Sequence, residues 1–168
     1  MMMTHFEKVK EFNRFFSLNI PKSPQHDIFE KNPALVKLKM DLIIEEVAEL
    51  KNAIMEHNFM EVADALGDIL YVVYGAAISF GIDIEKVFSL IHESNLSKLC
   101  SSQEEAEQTV NWYKKKYAKG ETPYDTPNYK YCEDISKFVV FNESSGKILK
   151  NVNYHPVDLS FLLEKKDE

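Results

Sequence analysis

Between Asp41 and Asp68 the chain carries eight acidic residues, Asp41, Glu45, Glu46, Glu49, Glu56, Glu61, Asp64 and Asp68, against one basic residue, Lys51. The window's charge of −7 equals that of the whole 168-residue chain, so the other 140 residues sum to zero. Apolar residues recur alongside these acids at helical spacing. Leu35, Leu38, Leu42, Ile43, Val47, Leu50 and Ile54 predict a long helix from Pro33 to about His57, with Pro33 suited to the first turn. Asn58 followed by Glu61 reads as a capping box opening a second long helix that runs to Phe80 and stops at Gly81. Two helices joined by so little chain must run antiparallel, which lets their acidic faces meet.

The remaining chain extends the same architecture. Phe6, Val9, Phe12, Phe15 and Phe16 predict a short amphipathic helix over 4–17, closed off by Pro21 and Pro24. A further helix is expected from about Asp83 through HESNLSKL, and Ser101 with Glu104, or Ser102 with Glu105, caps another that ends in KKKYAKG. After Gly120 the texture changes: ETPYDTPNYKY reads as a turn-rich loop, and KFVVF and KILKN flank NESSG as a β-hairpin would. The expectation is one all-α domain over 1–168, an antiparallel helical bundle (about 4–119) with a small C-terminal β-hairpin appendage (about 120–168).

Composition narrows the function classes. Five glycines and six prolines are too few for a sandwich or barrel, and 45% hydrophobic residues can fill a core. Cys100 and Cys132 form neither a metal-spacing pattern nor a disulfide framework, and MMMTHFEKVKEF has charges where a signal peptide needs its apolar run, so a cytoplasmic protein is expected. The longest apolar stretch, Ile69 to Ile82, is shorter than the roughly 20 residues of a bilayer span. Acidic charge disfavours nucleic acid and anionic lipid as partners. ILYVVYGAAISF is apolar on nearly every face, which a small chain buries most easily at a subunit interface, so a homodimer or homotetramer is expected.

On an ideal helix Glu45 and Glu49 lie within about 40°, and Glu46 and Glu49 within about 60°, so the three share a face. Glu61, Asp64 and Asp68 form one stripe of the next helix. Most charge runs are solvated faces. Here the lysines that usually interleave such a face are missing, both helices carry the pattern, and the acids sit beside Ile43, Ile44, Val47, Leu66 and Ile69. Hard oxygen ligands in this number suit Mg²⁺, with Mn²⁺ as a substitute, and suit binding of substrate phosphates. His57 and His92 have no second soft ligand at a coordinating spacing.

IIEEVAEL and EVADALGDILYVVYGAAISFGID, followed by HESNLSKL, resemble the all-α nucleoside triphosphate pyrophosphohydrolases, the superfamily of MazG-like proteins, phosphoribosyl-ATP pyrophosphohydrolases, dimeric dUTPases and dCTP pyrophosphatases. The resemblance covers roughly residues 6–100, with a short further match in KILKNVNYHPVDL. Its signature is Glu-x-x-Glu on one helix and Glu-x-x-Asp on the next. It implies Glu46 and Glu49 as metal ligands, Glu45 as an outer ligand or water-positioning base, and Asp68 as a ligand from the second helix. Ala65 stands where many members have Glu, and Asp64 is the neighbouring acid. Glu61 and Asp64 also spell Glu-x-x-Asp, so the register is open. Asp64 with Asp68 is the favoured pair, because Glu61 has a capping role available.

Asn95 and Lys98 match the position of nucleotide and phosphate contacts, although Lys and Asn are also ordinary at a helix end. Tyr71 could stack on a base or pack in the core. The reaction implied is cleavage of a (deoxy)nucleoside triphosphate to the monophosphate and pyrophosphate. The alternatives are phosphoribosyl-ATP hydrolysis in histidine biosynthesis, or a non-catalytic oligomerisation module that binds divalent cations.

Overall fold

The computed structural model describes residues 2–164. Among these are six helices, α1 (His5–Phe15), α2 (Ile28–Lys31), α3 (Pro33–Met55), α4 (Phe59–Ser79), α5 (Ile84–Leu96) and α6 (Gln103–Ala118), and two strands, β1 (Pro127–Cys132) and β2 (Lys137–Asn142). The chain divides into two compact units. One runs up to Val87 and resumes at Leu159, and the other is Phe88–Asp158. The division falls inside α5, well before the change of composition at Gly120.

In the first unit α4 packs on α3 and α1. Its core is Phe6 and Val9 of α1 against Ala77 and Ile78 of α4, with Ile20, Tyr74, Ile82 and Ile84 around them. Asn32 opens α3, its side-chain oxygen accepting from the Leu35 N–H at 3.2 Å ahead of Pro33. Asn58 opens α4, accepting from the Glu61 N–H at 3.4 Å. By length and composition alone, α4, with mean hydropathy 1.4, would suffice to cross a membrane, because the helix extends past the apolar stretch that defined the expectation. Asp64 and Asp68 lie within it, and each would cost about 3 kcal/mol at a bilayer centre.

The joint between α3 and α4 is only Glu56, His57 and Asn58. The His57 N–H donates to the Ile54 carbonyl at 3.2 Å and the Asn58 N–H to that of Ala53 at 3.0 Å, the double bond of a Schellman motif. His57 occupies its left-handed position at φ +55°. α4 ends the same way: Gly81 donates to Ile78 at 3.0 Å and Ile82 to Ala77 at 2.9 Å, with Gly81 at φ +70°. A Cβ on Gly81 would lie 1.9 Å from the Ser23 carbonyl oxygen, so backbone passes where a side chain would be. The same close approach lets the Gln25 N–H reach the Phe80 carbonyl at 2.9 Å.

The second unit buries Cys100, Ala106, Val110, Tyr113, Val140 and Leu149 together. Ser102, of the two serines considered, caps α6 by accepting from the Glu105 N–H at 3.1 Å. The expected hairpin is met in part and corrected in its main partner. β2, which contains KFVVF, pairs antiparallel with the upstream PNYKYC, in register from Pro127 opposite Asn142 to Cys132 opposite Lys137. KILKN pairs with it more briefly, through an antiparallel bridge between Ile148 and Phe141, with the Asn142 N–H donating to the Lys147 carbonyl at 2.8 Å and the Leu149 N–H to that of Val140 at 2.9 Å. Pro127 is tolerated because it is the first residue of its strand. Asp125 and Asn142 pin the NESSG turn: the Asp125 carboxylate accepts from Ser144, Asn142 and Thr126, which hold its pKa down to about 2. α5 stops at Leu96, short of the Leu99 end of the HESNLSKL segment expected for it, and α2 was not anticipated.

The two Schellman positions predict opposite outcomes. Gly81→Ala should destabilise by about 1–3 kcal/mol, from the left-handed φ and the Ser23 carbonyl. His57→Gly, which relieves a side chain held at positive φ, should stabilise by up to about 1 kcal/mol. Urea unfolding of both variants checks this, and equal signs would refute it.

Candidate active site

α3 and α4 lie side by side in opposite directions, and their register sets the site. Glu46 is half-buried, whereas Glu45, Glu49, Asp64 and Asp68 are exposed. Burial pushes the Glu46 carboxyl above the usual carboxylate range, and Glu49, Asp68, Glu45 and Asp64 push it further in that order. Acids from both helices therefore act on one carboxyl. None of these five makes an ion pair among the described residues; the lysines that do pair engage Glu7, Asp27, Asp41 and Glu121.

The donor set is all oxygen and without a counter-charge, and in that chemistry it fits a hard divalent cation. Among the described residues no three His, Cys, Asp or Glu side chains draw close enough to enclose an ion. Like charges with nothing between them stay apart, and side chains on neighbouring turns can converge without any change of backbone. Glu46, Glu49, Asp64 and Asp68 are the residues that would hold the cation.

Glu61 does not have the role that set it aside. A capping box needs its carboxylate on the Asn58 N–H, and that N–H is already donated to the Ala53 carbonyl. Glu61 contributes only its own N–H to the cap. It is also absent from the acids acting on Glu46, which are Glu49, Asp68, Glu45 and Asp64. The favoured pair, Asp64 with Asp68, thus rests on its place opposite Glu46 and no longer on Glu61 being a cap.

Tyr71 faces a cavity of about 230 Å³ between α1 and α4, which is mostly apolar and lined by His5, Lys8, Val9, Gly67, Leu70, Tyr71 and Tyr74. Gly67 and Tyr71 flank Asp68 in sequence, so cavity and acidic stripe adjoin on α4. Phe12 meets Tyr71 edge-on at 5.6 Å and holds the ring from the α1 side. The α1 wall was not legible in the sequence, because nothing local says which face of α1 meets α4.

Asn95 and Lys98 belong to the second unit. The Lys98 ammonium donates to the Asn95 side-chain oxygen at 2.6 Å. The segment carrying them is tied to the tail: Ser94 Oγ donates to the His155 carbonyl at 2.8 Å, and the Asn151 amide donates to the carbonyls of Ser97 and Leu99 at 2.9 and 2.8 Å.

A carboxyl whose pKa is raised on folding loses stability as pH climbs from its unfolded value through its folded one, and the loss is complete above both. Metal-free Glu46→Gln should therefore be more stable than the parent at pH 7, with the difference vanishing below about pH 4 where both are neutral. Denaturation in chelator at the two pH values measures it; equal stability at pH 7 would mean Glu46 is not repelled.

A relative in Acanthamoeba polyphaga mimivirus, an uncharacterized protein, is 29% identical over 244 aligned positions that cover 96% of each chain. Residues 9–95, which contain the latter part of α1, both acidic helices and nearly all of α5, match the model of the phosphoribosyl-ATP pyrophosphohydrolase family. The chain belongs to that family of divalent-cation-dependent pyrophosphohydrolases, within the all-α MazG-like superfamily.

Proposed function

We propose that the protein is a Mg²⁺-dependent pyrophosphohydrolase that cleaves a (deoxy)nucleoside triphosphate to the monophosphate and pyrophosphate. One observation carries this reading: acids from α3 and α4 converge electrostatically on Glu46 with no cationic partner. One water is consumed and the bridge between the α- and β-phosphates is broken, leaving the nucleoside monophosphate and pyrophosphate. A divalent cation bound by Glu46, Glu49, Asp64 and Asp68 would neutralise phosphate oxygens and acidify a water. Glu45, exposed next to Glu46, would accept that proton.

The cavity beside Asp68 suits a nucleobase, with Tyr71 and Tyr74 offering ring faces and His5 and Lys8 polar groups at its wall. Lys98 and Asn95 would contribute phosphate and sugar contacts. The apolar surface left on α3 and α4, including Ile44 at 58%, Ile54 at 56% and Leu70 at 56% exposure, supports assembly as a homodimer or homotetramer. Phosphoribosyl-ATP remains a second substrate reading, favoured by the family's description.

The deciding experiment is a panel of canonical and damaged (deoxy)nucleoside triphosphates, with phosphoribosyl-ATP included, scored for pyrophosphate with Mg²⁺. Release from a deoxynucleoside triphosphate is expected; release from phosphoribosyl-ATP alone would favour the second reading, and release from none would leave a cation-binding module. With the best substrate, Glu49→Gln and Asp68→Asn should each lower kcat by about a hundredfold or more, while Glu61→Gln keeps most activity. Lys98→Ala should cost about tenfold or more in kcat/KM, the worth of one charge-assisted phosphate contact. Should Glu61→Gln be as inactive as Glu49→Gln while Asp68→Asn works, the second-helix pair is Glu61 with Asp64.

A further inference from the structure

The seam that α3 presents to α4 runs Val36, Lys39, Ile43, Glu46, Leu50 and Ala53, spaced alternately by three and four, and all six are half-buried or buried. Two of them are charged. Glu46 is accounted for by the candidate site. Lys39 is not: it makes no ion pair or hydrogen bond among the described residues, whereas Lys37, two positions earlier on the exposed face, pairs with Asp41. Its ammonium lies 3.9 Å from where a Cβ on Gly75 would stand, so it rests against α4. Burial there lowers its pKa, the mark of an uncompensated charge taken out of water. Any apolar residue would fill this position without that cost.

Lys39 precedes Glu46 by seven residues, and Gly75 follows Asp68 by seven. On antiparallel helices this places Lys39 on the same seam as the carboxylates, two turns or about 10 Å away along the helix axis. That separation is far too long for an ion pair with Glu46. It does suit one polyanion lying along the seam, with its middle at the acids and its end at the lysine. A lysine ammonium is a compact charge of the kind that binds phosphate, and neither α3 nor α4 contains an arginine.

We propose that Lys39 binds the terminal phosphates of the triphosphate, the part that departs as pyrophosphate, a role that rests on the function proposed above. In Lys39→Met the stem is kept and the charge removed; in Lys39→Arg the charge is kept. Titration calorimetry of each full-length variant with magnesium pyrophosphate, and separately with the deoxynucleoside monophosphate, reads the two halves of the substrate. Lys39→Met should weaken pyrophosphate about ten- to a hundredfold and leave the monophosphate unchanged, and Lys39→Arg should recover most of the loss. Without ligand, Lys39→Met should melt at or above the parent temperature, since a desolvated charge is gone.

Unchanged pyrophosphate affinity in Lys39→Met would overturn the proposal. So would a lower melting point, or dissociation in sedimentation, because Lys39 would then be a packing residue or a cation facing a second copy of the chain. Pyrophosphate binding needs no turnover, so the two readings fail separately. A parent protein that hydrolyses no triphosphate fails on function, whereas one that does so and binds pyrophosphate equally well without Lys39 fails on this residue alone.

Discussion

Repulsion among the carboxylates that α3 and α4 hold toward one another is the constraint to which the first unit answers. Helices free to move would relieve it by parting. They are kept together by a three-residue Schellman joint, in which both available N–H groups are already bonded, and by apolar seam positions above and below Glu46. The far half of α4 is fixed independently, by Phe6 and Val9 of α1 against Ala77 and Ile78. Side chains are left as the only adjustable parts. Carboxylates that separate by rotation alone can be drawn together by a cation without moving the scaffold, which is the condition for a site on rigid elements.

The helices were legible because their signals are local. Asn58 caps α4, Gly81 ends it, and Ser102 starts α6, as periodicity and capping chemistry indicate. What failed was non-local. KFVVF pairs briefly with KILKN and along its whole length with PNYKYC, although PNYKYC carries Pro, Asn and a preceding run of turn formers, because Tyr129 and Tyr131 alternate with the polar residues and pack against Phe138. A four-residue helix such as α2 has no periodicity to show. The division of the chain inside α5 is equally invisible, since a helix that continues through it leaves no mark in composition.

The candidate site was legible to the extent that helix arithmetic reaches. Rotation of 100° per residue groups Glu45, Glu46 and Glu49, and it groups Asp64 with Asp68; it does not say that Glu46 alone turns inward. Glu61 marks the limit of motif reasoning. Asn-x-x-Glu is the pattern of a reciprocal cap, yet the cap needs a free Asn58 N–H, and the preceding helix has already taken it. When two helices share one joint residue, the C-terminal motif of the first decides what is left for the N-terminal motif of the second.

Lys39 lies two residues outside the acidic window that opens at Asp41. Taken with Glu46 it makes the seam intelligible. A helix pair selected for stability alone would place aliphatic residues at both positions, since each charged group is partly desolvated and neither neutralises the other at two turns' distance. Opposite charges kept apart on one seam are a poor way to join helices. They are a good way to hold something that lies along the seam and carries both a cation and negative charge of its own, as a metal-bound polyphosphate does. The stability given up at the two positions is then recovered only when that ligand is bound, which ties affinity to the features that weaken the empty fold.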